Sequence, residues 1–133
     1  MEVNFRHEAR LAAVMALYAV DVGKVEISVA LNTACEELEL PRRWRRVAAK
    51  SVEGVLAKKK EIDKAITDTV VGYTMDRITA VDRALLRLGV YELLFSDLPK
   101  GVVLNEAVEI AKQFSTEESG KFVNGVLGKL ANG

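Results

Sequence analysis

Side chains able to make or break bonds are scarce in this chain. His7 is the only histidine and Cys35 the only cysteine among 133 residues. A nucleophile, imidazole and carboxylate arrangement would have to rest on one histidine near the N-terminus. Neither an intrachain disulfide nor a cysteine zinc cluster can form, and Cys35 reads as a small apolar residue on a helix face. The glycines follow no phosphate-cradling or dinucleotide pattern after a strand. Solvated helix faces or helix N-termini account for Glu36/Glu37 and Glu117/Glu118. No metal-ligand spacing occurs, no cofactor is expected, and a binding protein rather than an enzyme is the expectation.

Three clusters have the chemistry of binding. Arg6 and Arg10 stand four apart, on one face of a helix, where they can meet successive phosphates; Tyr18, two turns on, offers a ring for stacking. The same residues also fit a solvated face with Tyr18 in the core stripe. The run Arg42-Arg43-Trp44-Arg45-Arg46 mixes cations with an indole, but cations in a first helical turn oppose the helix dipole, and it reads equally as a surface or oligomer feature. In the third cluster, Lys121, Asn124, Gly125 and Gly128 recur at spacings of three and four. Each glycine inside a helix costs about 1 kcal/mol against alanine, so another backbone should approach closely: a neighbouring helix, a nucleic-acid strand or another protein.

The elements that must position these residues are helical. Pro41 and Pro99 are the only prolines, and no alternating β-branched stretch is bounded by paired turn signals. A first helix runs from an Asn4 N-cap to a stop at Gly23, with Leu11, Val14, Met15, Tyr18 and Val22 as its apolar stripe. A shorter helix spans Ser28 to Glu39, and a third starts at Pro41 and continues to about Asp68. Gly72, Tyr73 and Thr74 divide the chain into halves, residues 1–73 and 74–133. Thr79-x-x-Asp82 resembles a capping box opening a helix apolar nearly all round, with Asp82, Arg83, Arg87 and Glu92 as polar exits. After a Pro99-Lys100-Gly101 turn comes an amphipathic helix through Ala107, Ile110, Ala111 and Phe114. Ser115-x-x-Glu118 then caps a last helix. The expected fold is all-α, a compact bundle of six or seven helices.

Composition sets the remaining bounds. Half of the residues are hydrophobic and 29% are charged, which suits a folded domain and not a disordered one. No apolar run approaches the roughly 20 residues that cross a bilayer, and Met1 to Phe5 has no signal-like pattern, so a cytoplasmic protein without a membrane partner is expected. Basic and acidic residues both total 19, and the halves carry 12 against 11 and 7 against 8. Any nucleic-acid site must therefore be a local cluster.

Longer motifs narrow the reading. Asp76-Arg77-Ile78, Asp82-Arg83-Ala84-Leu85-Leu86-Arg87-Leu88 and Tyr91-Glu92-Leu93-Leu94 are followed by Asn105-Glu106-Ala107-Val108-Glu109-Ile110-Ala111-Lys112. Glu118-Ser119-Gly120-Lys121-Phe122-Val123-Asn124-Gly125-Val126-Leu127 closes the series. In this order they resemble the NusB family, as do Arg6-His7-Glu8-Ala9-Arg10 and Ala16-Leu17-Tyr18; residues 24–70 match only in pattern.

The resemblance implies two three-helix subdomains and an antitermination factor that binds boxA RNA as a heterodimer with NusE, a protein of the small ribosomal subunit. That assembly would join other Nus factors on RNA polymerase, notably in ribosomal RNA operons; a homodimer is left open. It implies RNA contacts at Arg6, Arg10, Tyr18, Arg77, Lys121, Phe122 and Asn124, and NusE contacts at Asp82 and Glu118. His7 and Glu8 stand where family members often carry arginines, which should weaken RNA binding by the chain alone. The rival readings are a protein-only helical scaffold and a NusB-like accessory of a ribosomal RNA methyltransferase. The favoured reading requires the outer surfaces of the first and last helices to form one cationic shelf.

Overall fold

The computed structural model describes residues 4–132; Met1–Val3, part of the segment read for a signal pattern, and Gly133 lie outside the described residues. Seven α-helices follow in order: α1 (Phe5–Gly23), α2 (Ile27–Glu37), α3 (Arg42–Ala57), α4 (Lys59–Thr69), α5 (Ala80–Phe95), α6 (Lys100–Phe114) and α7 (Glu117–Asn132), with one 3₁₀ turn at Met75–Arg77. The all-α expectation holds.

Local chemistry explains most of the ends. Asn4 Oδ1 accepts from His7 N–H at 3.2 Å, and Lys24 leaves α1 in the left-handed region with φ 53°. Pro41 is the N-cap of α3 and Pro99 that of α6, each one residue outside its helix, so Lys100 and Gly101 belong to α6 and not to a turn. At α7 the cap is Thr116, whose Oγ1 accepts from Ser119 N–H at 3.0 Å; the Ser115-x-x-Glu118 box is out of register by one. The third expected helix breaks at Lys58 into α3 and α4, giving the first half four helices. Lys58 N–H is shared between Gly54 and Val55 carbonyls, and no Gly or Pro announces the break.

Helix α5 is the axis of the molecule, packing against α1, α3, α4, α6 and α7. One continuous core runs from Leu11 on α1 through Ile62, Ile66 and Leu86 to Leu127 on α7; a smaller one joins α1 to α2 and α3 around Ala12, Ala34, Cys35 and Ala48. Ala9, Ala12, Ala13 and Ala16 are buried on α1 where α2, α3 and α5 crowd it, and Tyr18 and Val22 fall at the edge of its stripe. Gly54 lets α3 approach α5, since a Cβ there would lie 2.3 Å from the Tyr91 ring.

The polar residues of α5 are ties, not exits. Asp82, Arg87 and Glu92 are buried. Ser119 of α7 donates to Asp82, which leaves the Thr79 box half made, with only Asp82 N–H reaching Thr79 Oγ1 at 3.4 Å. Arg83 donates to Asp21 of α1 at 2.9 Å, and Arg87 to both oxygens of Asp63 of α4 at 2.9 and 3.1 Å. Among the described residues no buried side-chain nitrogen or oxygen lacks a partner, as a polar line through an apolar core requires.

Candidate nucleic-acid interface

Arg6 and Arg10 share a helix face but differ in availability. Arg6 is exposed. Arg10 Nε donates to both Glu92 oxygens at 2.9 and 3.2 Å, and its Nη1 donates to Glu106 of α6 at 3.2 Å. His7 Nδ1 lies 3.0 Å from the other Glu106 oxygen, so His7 and Arg10 together clasp α6 to α1. Burial pushes the Glu92 carboxyl above its ordinary range; Arg10 opposes that shift and Glu106 adds to it. The Arg10 side chain is only 12% exposed. It therefore positions the surface that carries Arg6.

Two shallow grooves run along this surface. One, of about 450 Å³, is lined by Asn4, Arg6, Arg10, Gly101, Val102, Asn105 and Glu106. The other, of about 420 Å³ between α6 and α7, is lined by residues including Asn105, Lys112, Gly120, Lys121 and Asn124. Asn105 borders both, so the two form one track from α1 across α6 to α7. The shelf expected of the two outer surfaces does not need the end helices to pack on each other. Instead α1 packs on α2, α3 and α5, α7 packs on α4, α5 and α6, and α6 supplies the join.

Lys121 and Asn124 are exposed, not sealed in the bundle. A Cβ on Gly125 would meet nothing within 4 Å, and one on Gly128 only Leu104 at 3.9 Å, so no neighbouring helix accounts for these two glycines. Gly120 does approach α6, with Lys112 Cγ 3.2 Å from its notional Cβ.

Other expected contacts fall outside the track. Phe122 points to the opposite flank of α7, where its ring lies 6.4 Å from that of Tyr73. Arg77 is exposed on the 3₁₀ turn and lines neither groove. Tyr18 is 41% exposed and, with Met15, Val81 and Phe114, borders a separate apolar groove of about 290 Å³ between α1, α5 and α6. Of the two acidic positions, Glu118 is exposed, whereas Asp82 is 8% exposed and occupied by Ser119. Asn105 and Lys112 went unassigned from sequence, although both lie in the Asn105–Lys112 motif. Among the described residues no cluster suited to a metal occurs, and no helix is long and apolar enough to cross a membrane.

The family model described as the NusB family matches residues 7–132. The transcription antitermination protein NusB of Sulfurimonas denitrificans is 42% identical over 126 residues, covering 95% of this chain and 96% of that protein. A T. maritima NusB structure superposes with a TM-score of 0.88 at 34% identity, covering 99% of this chain and 93% of the other. A crystal structure of antitermination factors NusB and NusE in complex with double-stranded RNA gives 0.88 at 32% identity, covering 98% of both chains.

Proposed function

This chain belongs to the NusB family, and on that premise we propose that it is an antitermination factor holding boxA RNA in a heterodimer with NusE during ribosomal RNA operon transcription. The carrying observation is the continuous track over α1, α6 and α7, where exposed Arg6, Lys112 and Lys121 alternate with the amides of Asn105 and Asn124. Cations along a groove neutralise phosphates, and amides can pair with the edges of unstacked bases. Gly125 lets a strand backbone approach α7 closely. No bond is made or broken.

NusE docks beside this track. Glu118 offers an exposed charge, and the Tyr18, Val81 and Phe114 groove offers an apolar seat. Asp82 contributes indirectly, because its bond to Ser119 fixes the first turn of α7 on α5. Other Nus factors and RNA polymerase enter through the assembled heterodimer. Since His7 and Arg10 are committed to Glu106 and Glu92, few cations remain for RNA, and NusE is needed for tight binding.

The test is a titration of labelled single-stranded boxA RNA against this protein, NusE and their mixture at two salt concentrations. The mixture should bind most tightly, with affinity falling as salt rises. If NusE alone binds as tightly as the mixture, this chain has no RNA role, and the protein-only scaffold reading replaces it.

A further inference from the structure

The Arg42–Arg46 run, unassigned by the family resemblance, borders the same track. Arg45 Nε donates to the Leu40 carbonyl at 2.7 Å and so holds the end of the α2–α3 connection. Arg43 and Trp44 instead line a cleft of about 300 Å³ whose other walls include Arg6, Arg10, Glu92 and Val102. Arg6, Arg10 and Val102 also line the α1–α6 groove, so this cleft continues the track onto α3. The Arg43 guanidinium carbon lies 5.2 Å from the centroid of the Trp44 ring, and Phe5 stacks against the indole with centroids 6.5 Å apart. Arg6 and Arg43 are exposed and make no ion pair among the described residues.

We propose that this cleft receives one base of the RNA strand bound along the α1, α6 and α7 track, extending the binding site by about a nucleotide onto α3. The inference rests on the RNA-binding reading above. Three features select a nucleotide. A volume of about 300 Å³ lies at the small end of ligand sites. The Arg43 guanidinium, lying over an indole that Phe5 also packs against, gives it a flat face for stacking. Exposed Arg6 and Arg43 provide cations for the flanking phosphates, and Glu92 places a carboxylate on the wall. Arg10 neutralises that carboxylate, so the exposed cations set the charge of the cleft; an acidic peptide, the rival ligand for an arginine cluster, brings no flat base to lie against the guanidinium and indole.

Trp44 is the only tryptophan of the chain and reports on the cleft. Labelled boxA RNA is titrated into the complex with NusE while RNA anisotropy and tryptophan emission are followed; the Trp44→Phe complex supplies the background emission. Trp44 emission should quench with the same midpoint as the anisotropy. Arg43→Glu should weaken RNA binding by roughly tenfold with an unchanged melting temperature. Saturating anisotropy with constant Trp44 emission, or an unaltered affinity of Arg43→Glu, overturns the cleft assignment and leaves the track intact. Quenching by a polyglutamate peptide but not by RNA also overturns it. Failure of RNA to bind at all removes both readings.

Discussion

Replacing Arg10 with alanine separates a clasp from an RNA contact. The guanidinium faces Glu92, whose side chain is 8% exposed, and Glu106, at 15%. Removing it leaves Glu92 buried without its cation, a change that in general costs about 3–5 kcal/mol. Protonation limits the loss. Glu92 ordinarily titrates near 4.5, so taking up a proton at pH 7 costs about 3 kcal/mol at roughly 1.4 kcal/mol per pH unit. The expected destabilisation is therefore about 3–4 kcal/mol at pH 7, or roughly 10–15 °C in melting temperature for a domain of this size.

The pH dependence carries the sharper signature. In the variant the folded pKa of Glu92 is raised further above the unfolded value of 4.5, so the folded state binds more protons across that interval. Its stability falls as pH rises, by up to about 1.4 kcal/mol per unit, and the deficit against the parent protein shrinks to about 1 kcal/mol near pH 5. Urea unfolding at pH 5, 6 and 7 measures this, and the Arg10→Ala/Glu92→Gln double variant should recover most of the loss. A deficit below about 1 kcal/mol at pH 7, with RNA binding abolished, would mean that Arg10 touches RNA directly and that the clasp is unimportant.

Three further outcomes are expected. Arg6→Glu with Lys121→Glu should lower boxA affinity and flatten its salt dependence, by roughly 0.7 for each phosphate no longer neutralised, with heterodimer formation and melting temperature unchanged; a lowered melting temperature would contradict their exposed placement. Gly54→Ala should destabilise by about 1–2 kcal/mol in denaturant titration despite the better helix propensity of alanine, because the new Cβ meets Tyr91; a stabilised variant would show that the ring yields freely. Burial pushes the Cys35 thiol above its ordinary range, with Arg45 opposing only in part, so Cys35 should resist thiol reagents at pH 8 until the protein unfolds; prompt labelling of the native protein would refute its burial.

Much of the fold was legible in local signals. Asn4 opens α1 as capping chemistry suggests, whereas the left-handed cap at its end is Lys24, one residue past the expected Gly23 stop; the nearly all-apolar α5 lies at the centre of the bundle. The break at Lys58 was not legible, because a lysine run carries no stop signal. Residue type and spacing singled out Arg6, Lys121 and Asn124 but left a solvated face or a neighbouring helix equally open, and only the family resemblance pointed to RNA; all three are exposed. The role of Arg10 was hidden: its partners Glu92 and Glu106 are 82 and 96 residues away, beyond any helical period. The same distance effect concealed the partners of Asp82 and Arg87. Asn105 and Lys112 were overlooked because an ordinary amphipathic helix does not say which part of its polar face borders a groove.

The most direct test of the track is a map of backbone amide shifts in the isotope-labelled protein on adding single-stranded boxA RNA to its complex with NusE. Shifts beyond those caused by NusE alone should concentrate at residues 4–10, 101–112 and 120–128, with α4 silent. Shifts concentrated on α4, or on one side of α6 only, would contradict a single strand path across α1, α6 and α7.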